Sequence, residues 1–245
     1  MKSLLTVGLT TIGLFFAGGL FQAHAADAAN EIPKGYKLQY QQDFSKKDAL
    51  KDFVMADPNA WQITQVNGDS CLELVKQSKY QPEVRSPVNL AVIGDRAFGD
   101  FILEVNLLST SREYPHRDMC ISFGMKSPKE FYYTHMATAA DPHAHNIFIV
   151  NNKERQNIAT ETTKGVNWGT TNDWHKIRIE RKVADGTIKV YYDDLTKPVQ
   201  VAEDKAFAFG YIGFGSFDDT GKINNIKVYA PKMEKKKTEF YKRSE

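Results

Sequence analysis

Residues 98–108 read Phe98-Gly99-Asp100-Phe101-Ile102-Leu103-Glu104-Val105-Asn106-Leu107-Leu108, and their alternation decides the fold class. Successive side chains of an extended chain point to opposite faces. Phe101, Leu103, Val105 and Leu107 therefore share one face, and Glu104 and Asn106 take the other. Arg117–Phe123 repeats the pattern: Met119, Ile121 and Phe123 form an apolar set, while Asp118, Cys120 and Ser122 face away. Both segments predict strands with one buried face. Glu104, Asn106, Asp118 and Ser122 are expected to line the solvent side of one curved sheet, a groove suited to an extended, hydroxyl-rich ligand.

The same signature spreads in both directions. Runs rich in Val, Ile, Tyr and Phe between Gly, Pro, Asn and Asp punctuation predict strands near Lys37–Phe44, Trp61–Val66, Leu72–Lys76, Val88–Ile93, Asp100–Leu108, Met119–Met125, Phe131–Met136, Asn146–Val150, Trp174–Arg181, Thr187–Tyr192, Tyr211–Phe217 and Ile223–Tyr229. Asp185-Gly186 marks a hairpin turn, since this pair readily supplies residues with φ > 0. Lys46–Phe53 reads as a short helix. Short strands without long intervening helices or a sustained repeat predict an all-β, two-sheet sandwich or jelly roll.

The first residues, MKSLLTVGLTTIGLFFAGGLFQAHA, have the form of a secretory signal peptide. Lys2 is followed by an uncharged apolar stretch, and Ala23-His24-Ala25 offers a small-x-small cleavage pattern. Cleavage after Ala25 would leave a secreted or periplasmic domain over residues 26–230, with no second long apolar run to hold it in a membrane. Residues 231–245 carry six Lys/Arg against three Glu and read as a solvated, frayed basic tail. A net charge of +2 is too small to argue for a nucleic-acid partner. Cys71 and Cys120 are the two cysteines of the chain. In an exported protein they either pair or stay reduced as small buried residues, and sequence spacing does not decide between these.

The chemistry is concentrated in Tyr114–His145, YPHRDMCISFGMKSPKEFYYTHMATAADPHAH, which holds four of the six histidines. His135 ends the aromatic strand Phe131-Tyr132-Tyr133-Thr134-His135, so Tyr133 and His135 share a face. Such a pair suits the general acid–base work of a β-elimination, or a half-buried packing role. His116-Arg117-Asp118 offers a base, an anion-binding fork and a carboxylate, or a structural ion pair. His143 and His145 share a face if their segment is extended and could bind a metal; the alternative is a polar loop. Arg155 could hold a uronate or sulfate group through its planar fork; the alternative, and the commoner case, is a solvated loop charge. Trp168 could stack on a sugar ring.

Several stretches together resemble the concanavalin A-like lectin/glucanase superfamily, and within it the secreted bacterial domains grouped with 3-keto-disaccharide hydrolases and family-16-like proteins. They are Tyr40–Phe44, Arg85-Ser86-Pro87, Phe98–Glu104, Trp174–Ile179, Asp185–Tyr191, Gly213–Asp219 and Asn225–Val228. The resemblance implies a two-sheet concanavalin A-like jelly-roll sandwich and a polysaccharide or oligosaccharide partner. Related jelly rolls hold a structural Ca²⁺ in this region, for which Asp218 and Asp219 would supply part of the oxygen set; the alternative is an ordinary Asp-rich turn. One departure matters. Family-16 glucanases place two carboxylates on one strand, and in Leu103–Leu108 only Glu104 survives. Retaining hydrolysis needs two carboxylates about 5–5.5 Å apart, so that mechanism is not carried over. Two readings stay open. One is an enzyme cleaving a glycosidic linkage by hydrolysis or elimination with Glu104, His116, Arg117, Asp118, Tyr133 and His135, aided by Asn106, Ser122, Arg155 and Trp168. The other is a non-catalytic carbohydrate-binding or cell-surface module.

Overall fold

The alternating apolar sets assemble into two antiparallel sheets packed face to face. The computed structural model describes residues 31–243, so the expected signal peptide, residues 1–25, lies outside the described residues. Each predicted strand has a counterpart. One sheet runs in the order Ala159–Thr162, Gln200–Glu203, Thr187–Tyr192, His175–Arg181, Phe101–Ser109, Gly221–Ala230, Asp69–Leu74, Trp61–Val66, and Lys37–Gln42 also pairs with Gly221–Ala230, making nine strands. The other has eight strands: Gln156–Asn157, Ile147–Asn151, Glu130–Ala137, Asp118–Ser127, Tyr211–Ser216, Asn89–Ile93, Phe53–Met55 and Lys242–Arg243. The segment read as a helix is a single 3-10 turn, Ala49–Asp52, leading directly into Phe53–Met55. No helix among the described residues is long and apolar enough to cross a membrane.

The core lies between the sheets. Leu103, Val105 and Leu107 of the nine-stranded sheet join one cluster with Met119, Ile121 and Phe123 of the eight-stranded sheet, as their alternation predicted. Glu104 and Asn106 are consequently on the outside of one sheet, and Asp118 and Ser122 on the outside of the other. The expectation that these four line a single sheet is corrected here. Alternation assigns a side chain to the inside or the outside, but it does not say which sheet a strand joins.

The eight-stranded sheet is apolar on its outer face as well. Val54, Leu90, Val92, Cys120, Phe131, Tyr133, Phe148 and Val150 form a second buried cluster there. Met125 joins them although Phe123 points inward, because Gly124 takes φ 59° and the register slips after Phe123, shifting the strand's parity. Two segments cover this face. Ser78 N–H donates to Asn89 Oδ1 at 2.7 Å, while Asn89 Nδ2 donates to the Phe217 carbonyl at 3.0 Å, pinning the first segment beside the 216–219 turn. The second is the C-terminal segment, which differs from the frayed tail the charge run suggested. Met233–Lys235 pairs with Arg96–Phe98, Thr238 is buried, Phe240 sits edge-on to Tyr211, and Tyr241 sits edge-on to Tyr80. Burying these rings outweighs the repulsion among neighbouring lysines whose charged ends stay in water.

Cys71 and Cys120 are both free and buried, and they belong to different sheets. Trp168, expected at a sugar, is instead fully buried: its ring lies edge-on to His175 and Tyr192, and Nε1 donates to the Met136 carbonyl at 3.3 Å. Trp168→Ala should cost about 3–5 kcal/mol of stability, the range for deleting a buried large aromatic, measurable by urea unfolding. Any ligand affinity per folded molecule should be unchanged.

Candidate functional site

The site is built from neighbouring strands whose register brings polar residues together. Cys120 pairs with His135 and Ser122 with Tyr133 across the Asp118–Ser127 and Glu130–Ala137 strands. Asp118, Cys120, Tyr133 and His135 therefore share the outer face, which joins two pairs that the sequence had read separately. At the end of this face not closed by the covering segments is a cavity of about 220 Å³ lined by Arg85, Tyr114, His116, His135, His143, Arg155, Phe217 and Asp218. This is a pocket rather than the open groove expected.

Its floor is an acid–imidazole pair. His135 Nε2 lies 2.6 Å from Asp118 Oδ2, and the Cys120 thiol donates to the same oxygen at 3.2 Å. Asp118 is fully buried, and its Oδ1 has no hydrogen-bond partner among the described residues. Asp219 accepts from the Asp118 backbone N–H at 2.7 Å and from the Tyr114 hydroxyl at 2.9 Å. Burial, followed by the Asp118 charge, pushes the Asp219 carboxyl up to about 6. Burial and Asp118 likewise push the Cys120 thiol up, so it is held as a thiol and is no nucleophile. Asp118, Asp218 and Asp219 each offer an oxygen within 4.8 Å of the others.

The wall is aromatic and basic. The Arg155 guanidinium lies 4.3 Å from the Phe217 ring centroid and 4.8 Å from that of Phe148, and its Nη1 donates to the Tyr133 hydroxyl at 2.9 Å. Arg85 approaches the same Phe217 ring at 6.0 Å. On the rim, His116 Nε2 is 2.6 Å from Asp141 Oδ2, and the His143 backbone N–H donates to Asp141 Oδ1 at 2.7 Å.

The residues picked out by sequence divide accordingly. His116, His135 and Arg155 line the pocket, and Asp118 lies beneath it. Tyr133 is adjacent but fully buried, stacked on Phe148, and burial raises its hydroxyl well above the ordinary phenol value. It positions Arg155 rather than exchanging protons with a ligand. Ser122 is fully buried too, and its hydroxyl has no partner among the described residues. Arg117 is structural: it is buried and donates to the Ser109, Gly169 and Thr170 carbonyls and to Glu113. Glu104 sits on the other sheet, 3.3 Å from Arg178 and 3.5 Å from Lys176, and Asn106 lies beside it. His143 and His145 do not form a metal pair. The chain turns through Asp141–Ala144, and His145, at φ 52°, is buried with Nε2 2.9 Å from Thr163 Oγ1. Arg85, Tyr114 and Phe217 belong to the pocket without having been singled out. Phe217 and Arg85 did stand in the quoted motifs, but nothing in their spacing marked them as pocket residues.

Two antiparallel sheets with these connections define a jelly-roll sandwich. No protein-family model matches the sequence, and a search of curated proteins finds no match. Among solved structures, the carbohydrate binding module CBM66 from Bacillus subtilis is similar at 16% identity and TM-score 0.51, over 74% of this chain and 96% of that one. A protein of unknown function with a galectin-like fold, also from Bacillus subtilis, is similar at 12% identity and TM-score 0.51, over 79% and 97%. The concanavalin A-like jelly-roll architecture expected from the sequence is thus the fold of this chain.

Burial lowers the His145 imidazole to about 4, with the nearby His135 adding to the effect. Its unfolded counterpart takes up a proton near pH 6.5. The stability tied to neutral His145 is therefore complete above pH 6.5 and is lost as pH falls toward 4, on the order of 2–3 kcal/mol. His145→Asn, which keeps a residue tolerant of positive φ, should flatten the stability profile between pH 6.5 and 4 in chemical denaturation.

Proposed function

We propose that this protein, after export, recognises a carbohydrate by taking one sugar residue end-on into the pocket beside Phe217. The single observation that carries this reading is the pocket itself. At about 220 Å³ it is smaller than the roughly 300–1,000 Å³ of sites for drug-sized ligands, and it has room for a single ring. It offers an aromatic face in Phe217, planar donors in Arg85 and Arg155, and an exposed acceptor in Asp218. These are the groups that match the apolar C–H face and the hydroxyl edge of a sugar. The fold shared with a carbohydrate binding module supports the same reading.

A second reading, glycosidic cleavage, draws on one observation. Asp118, Asp218 and Asp219 have oxygens within 4.8 Å of one another, and Asp219 is raised to about 6. A carboxyl with raised proton affinity beside a second carboxyl group is the arrangement acid-assisted cleavage uses. Against it, Asp118 is fully buried, and Glu104, Arg117 and Tyr133 are committed elsewhere. The binding reading is therefore the conclusion. Titration of the protein with an oligosaccharide panel should give saturable binding that Phe217→Ala weakens about tenfold, the scale of one lost aromatic contact. Mass spectrometry of the same mixtures should return intact oligosaccharides. Products that have gained water, or unsaturated products, would replace binding with hydrolysis or elimination.

The three carboxylates also fit a structural Ca²⁺. A cation would compensate the partnerless Asp118 Oδ1 and the like charge of Asp219, two features otherwise costly in a buried setting. Backbone carbonyls and water would complete the six to eight oxygens such an ion takes. Added Ca²⁺ should raise the thermal midpoint, with EDTA reversing the rise and Asp218→Asn removing it. A midpoint indifferent to Ca²⁺ and EDTA would exclude the ion.

A further inference from the structure

We infer that the sugar taken by this pocket is anionic, bearing a carboxylate or sulfate that the Arg155 and Arg85 guanidinia hold. The inference rests on the pocket being a carbohydrate site, and it names the class of sugar.

Arg155 is the centre of the argument. Its guanidinium is half-buried between the Phe148 and Phe217 rings, and the buried Tyr133 hydroxyl accepts from one of its amino groups. Three contacts therefore hold the group in place before any ligand arrives, so little side-chain freedom remains to be lost on binding. Yet its charge is unanswered. Among the described residues no carboxylate lies within 4.0 Å of either Arg155 or Arg85. Arg96, Arg117 and Arg178 each have one, Asp95 at 2.6 Å, Glu113 at 2.9 Å and Glu180 at 3.0 Å, while the buried Arg181, which has none, donates instead to the Gly186 and Phe207 carbonyls. A half-buried cation fixed by aromatic faces and a neutral hydroxyl, with its other N–H groups unused, is arranged for an oxyanion brought from outside.

The rest of the pocket agrees. The Arg155 backbone N–H donates to the Arg85 carbonyl at 3.4 Å, so the two arginines come from segments tied to each other. Both guanidinia approach one ring, that of Phe217, which places the bound anion beside the surface on which the sugar would lie. Of the acidic side chains, only Asp218 lines the pocket itself, at an exposed position, and the other two have partners of their own. Asp118 is answered by His135 at 2.6 Å, and Asp219 accepts from Tyr114 and the backbone. Two guanidinia and the His135 imidazole, which lies edge-on to Phe217 at 5.6 Å, thus gather around one aromatic ring, an arrangement that suits a sugar bearing an anion.

The test uses matched pairs in isothermal titration calorimetry with the full chain. One pair is a galacturonate oligosaccharide and its carboxyl-reduced form; the other is a sulfated galactan oligosaccharide and its desulfated form. The expected result is that the anionic member of at least one pair binds at least about tenfold more tightly than its neutral partner, the scale of a charge-assisted fork. The pair that shows the difference identifies carboxylate or sulfate as the source. Arg155→Lys, which keeps the charge but loses the fork, should remove most of the difference. Arg85→Gln, at an exposed position, should reduce it without disturbing the fold, and this variant decides the matter if Arg155→Lys fails to fold. Equal affinity for neutral and anionic members overturns the inference and leaves the carbohydrate reading standing. Binding of none of the four overturns both.

Discussion

The constraint on which this structure turns is that the eight-stranded sheet is apolar on both faces. Its inner face packs against the other sheet. Its outer face carries Val54, Leu90, Val92, Phe131, Phe148 and Val150, which cannot be left in water without losing roughly 1.5–3 kcal/mol for each large side chain. Something has to cover it. The chain uses the segment anchored by Ser78 on Asn89 and the C-terminal segment with Thr238, Phe240 and Tyr241. The cover ends where the outward positions change from aliphatic to polar, at Asp118 and His135. The pocket is the part of the face whose side chains carry hydrogen-bonding groups of their own.

The same covering explains how residues on one face divide into those a ligand can meet and those it cannot. Tyr133 and His135 are two positions apart and point the same way, but Tyr133 lies under Phe217 and Arg155 while His135 reaches the pocket. Tyr133 acts at one remove by fixing a guanidinium. Asp118 similarly acts through His135, whose ring it orients. A crowded pattern of acids, bases and aromatics thus resolves into a layer that touches the cavity and a layer that holds the first in place.

What the sequence made legible follows from what local patterns encode. Period-two alternation in Phe101–Leu107 and Met119–Phe123 located strands and told inside from outside. It put Asp118 and His135 in one short window of the chain but did not pair them; the hairpin register that sets Cys120 opposite His135 does so. It could not assign Glu104, since the partners of its strand, His175–Arg181 and Gly221–Ala230, are distant in the chain. Trp168 was misread because a tryptophan in a Gly/Thr/Asn loop looks exposed, and only the fold tucks it against His175 and Tyr192. The C-terminal charge run misled for the opposite reason: Thr238, Phe240 and Tyr241 supply the burial, and six Lys/Arg conceal them in any composition window. Short strands such as Gln156–Asn157 and Phe53–Met55 hold too few residues to show a period at all.

The pairing of the earliest described strand with one of the last sets the order in which this molecule can mature. Gln39 donates to the carbonyl of Ala230, 191 positions away, and Lys37–Gln42 hydrogen-bonds along Gly221–Ala230. Phe53–Met55 waits in the same way for Lys242–Arg243. Loop-closure entropy must be met before such distant contacts return any stability, so a topology of this kind folds slowly. Until residues 221–243 are available, neither sheet is complete, and the apolar outer face has only part of its cover. A chain emerging vectorially would thus remain open until those residues arrive, and its pocket would form only as the fold closes.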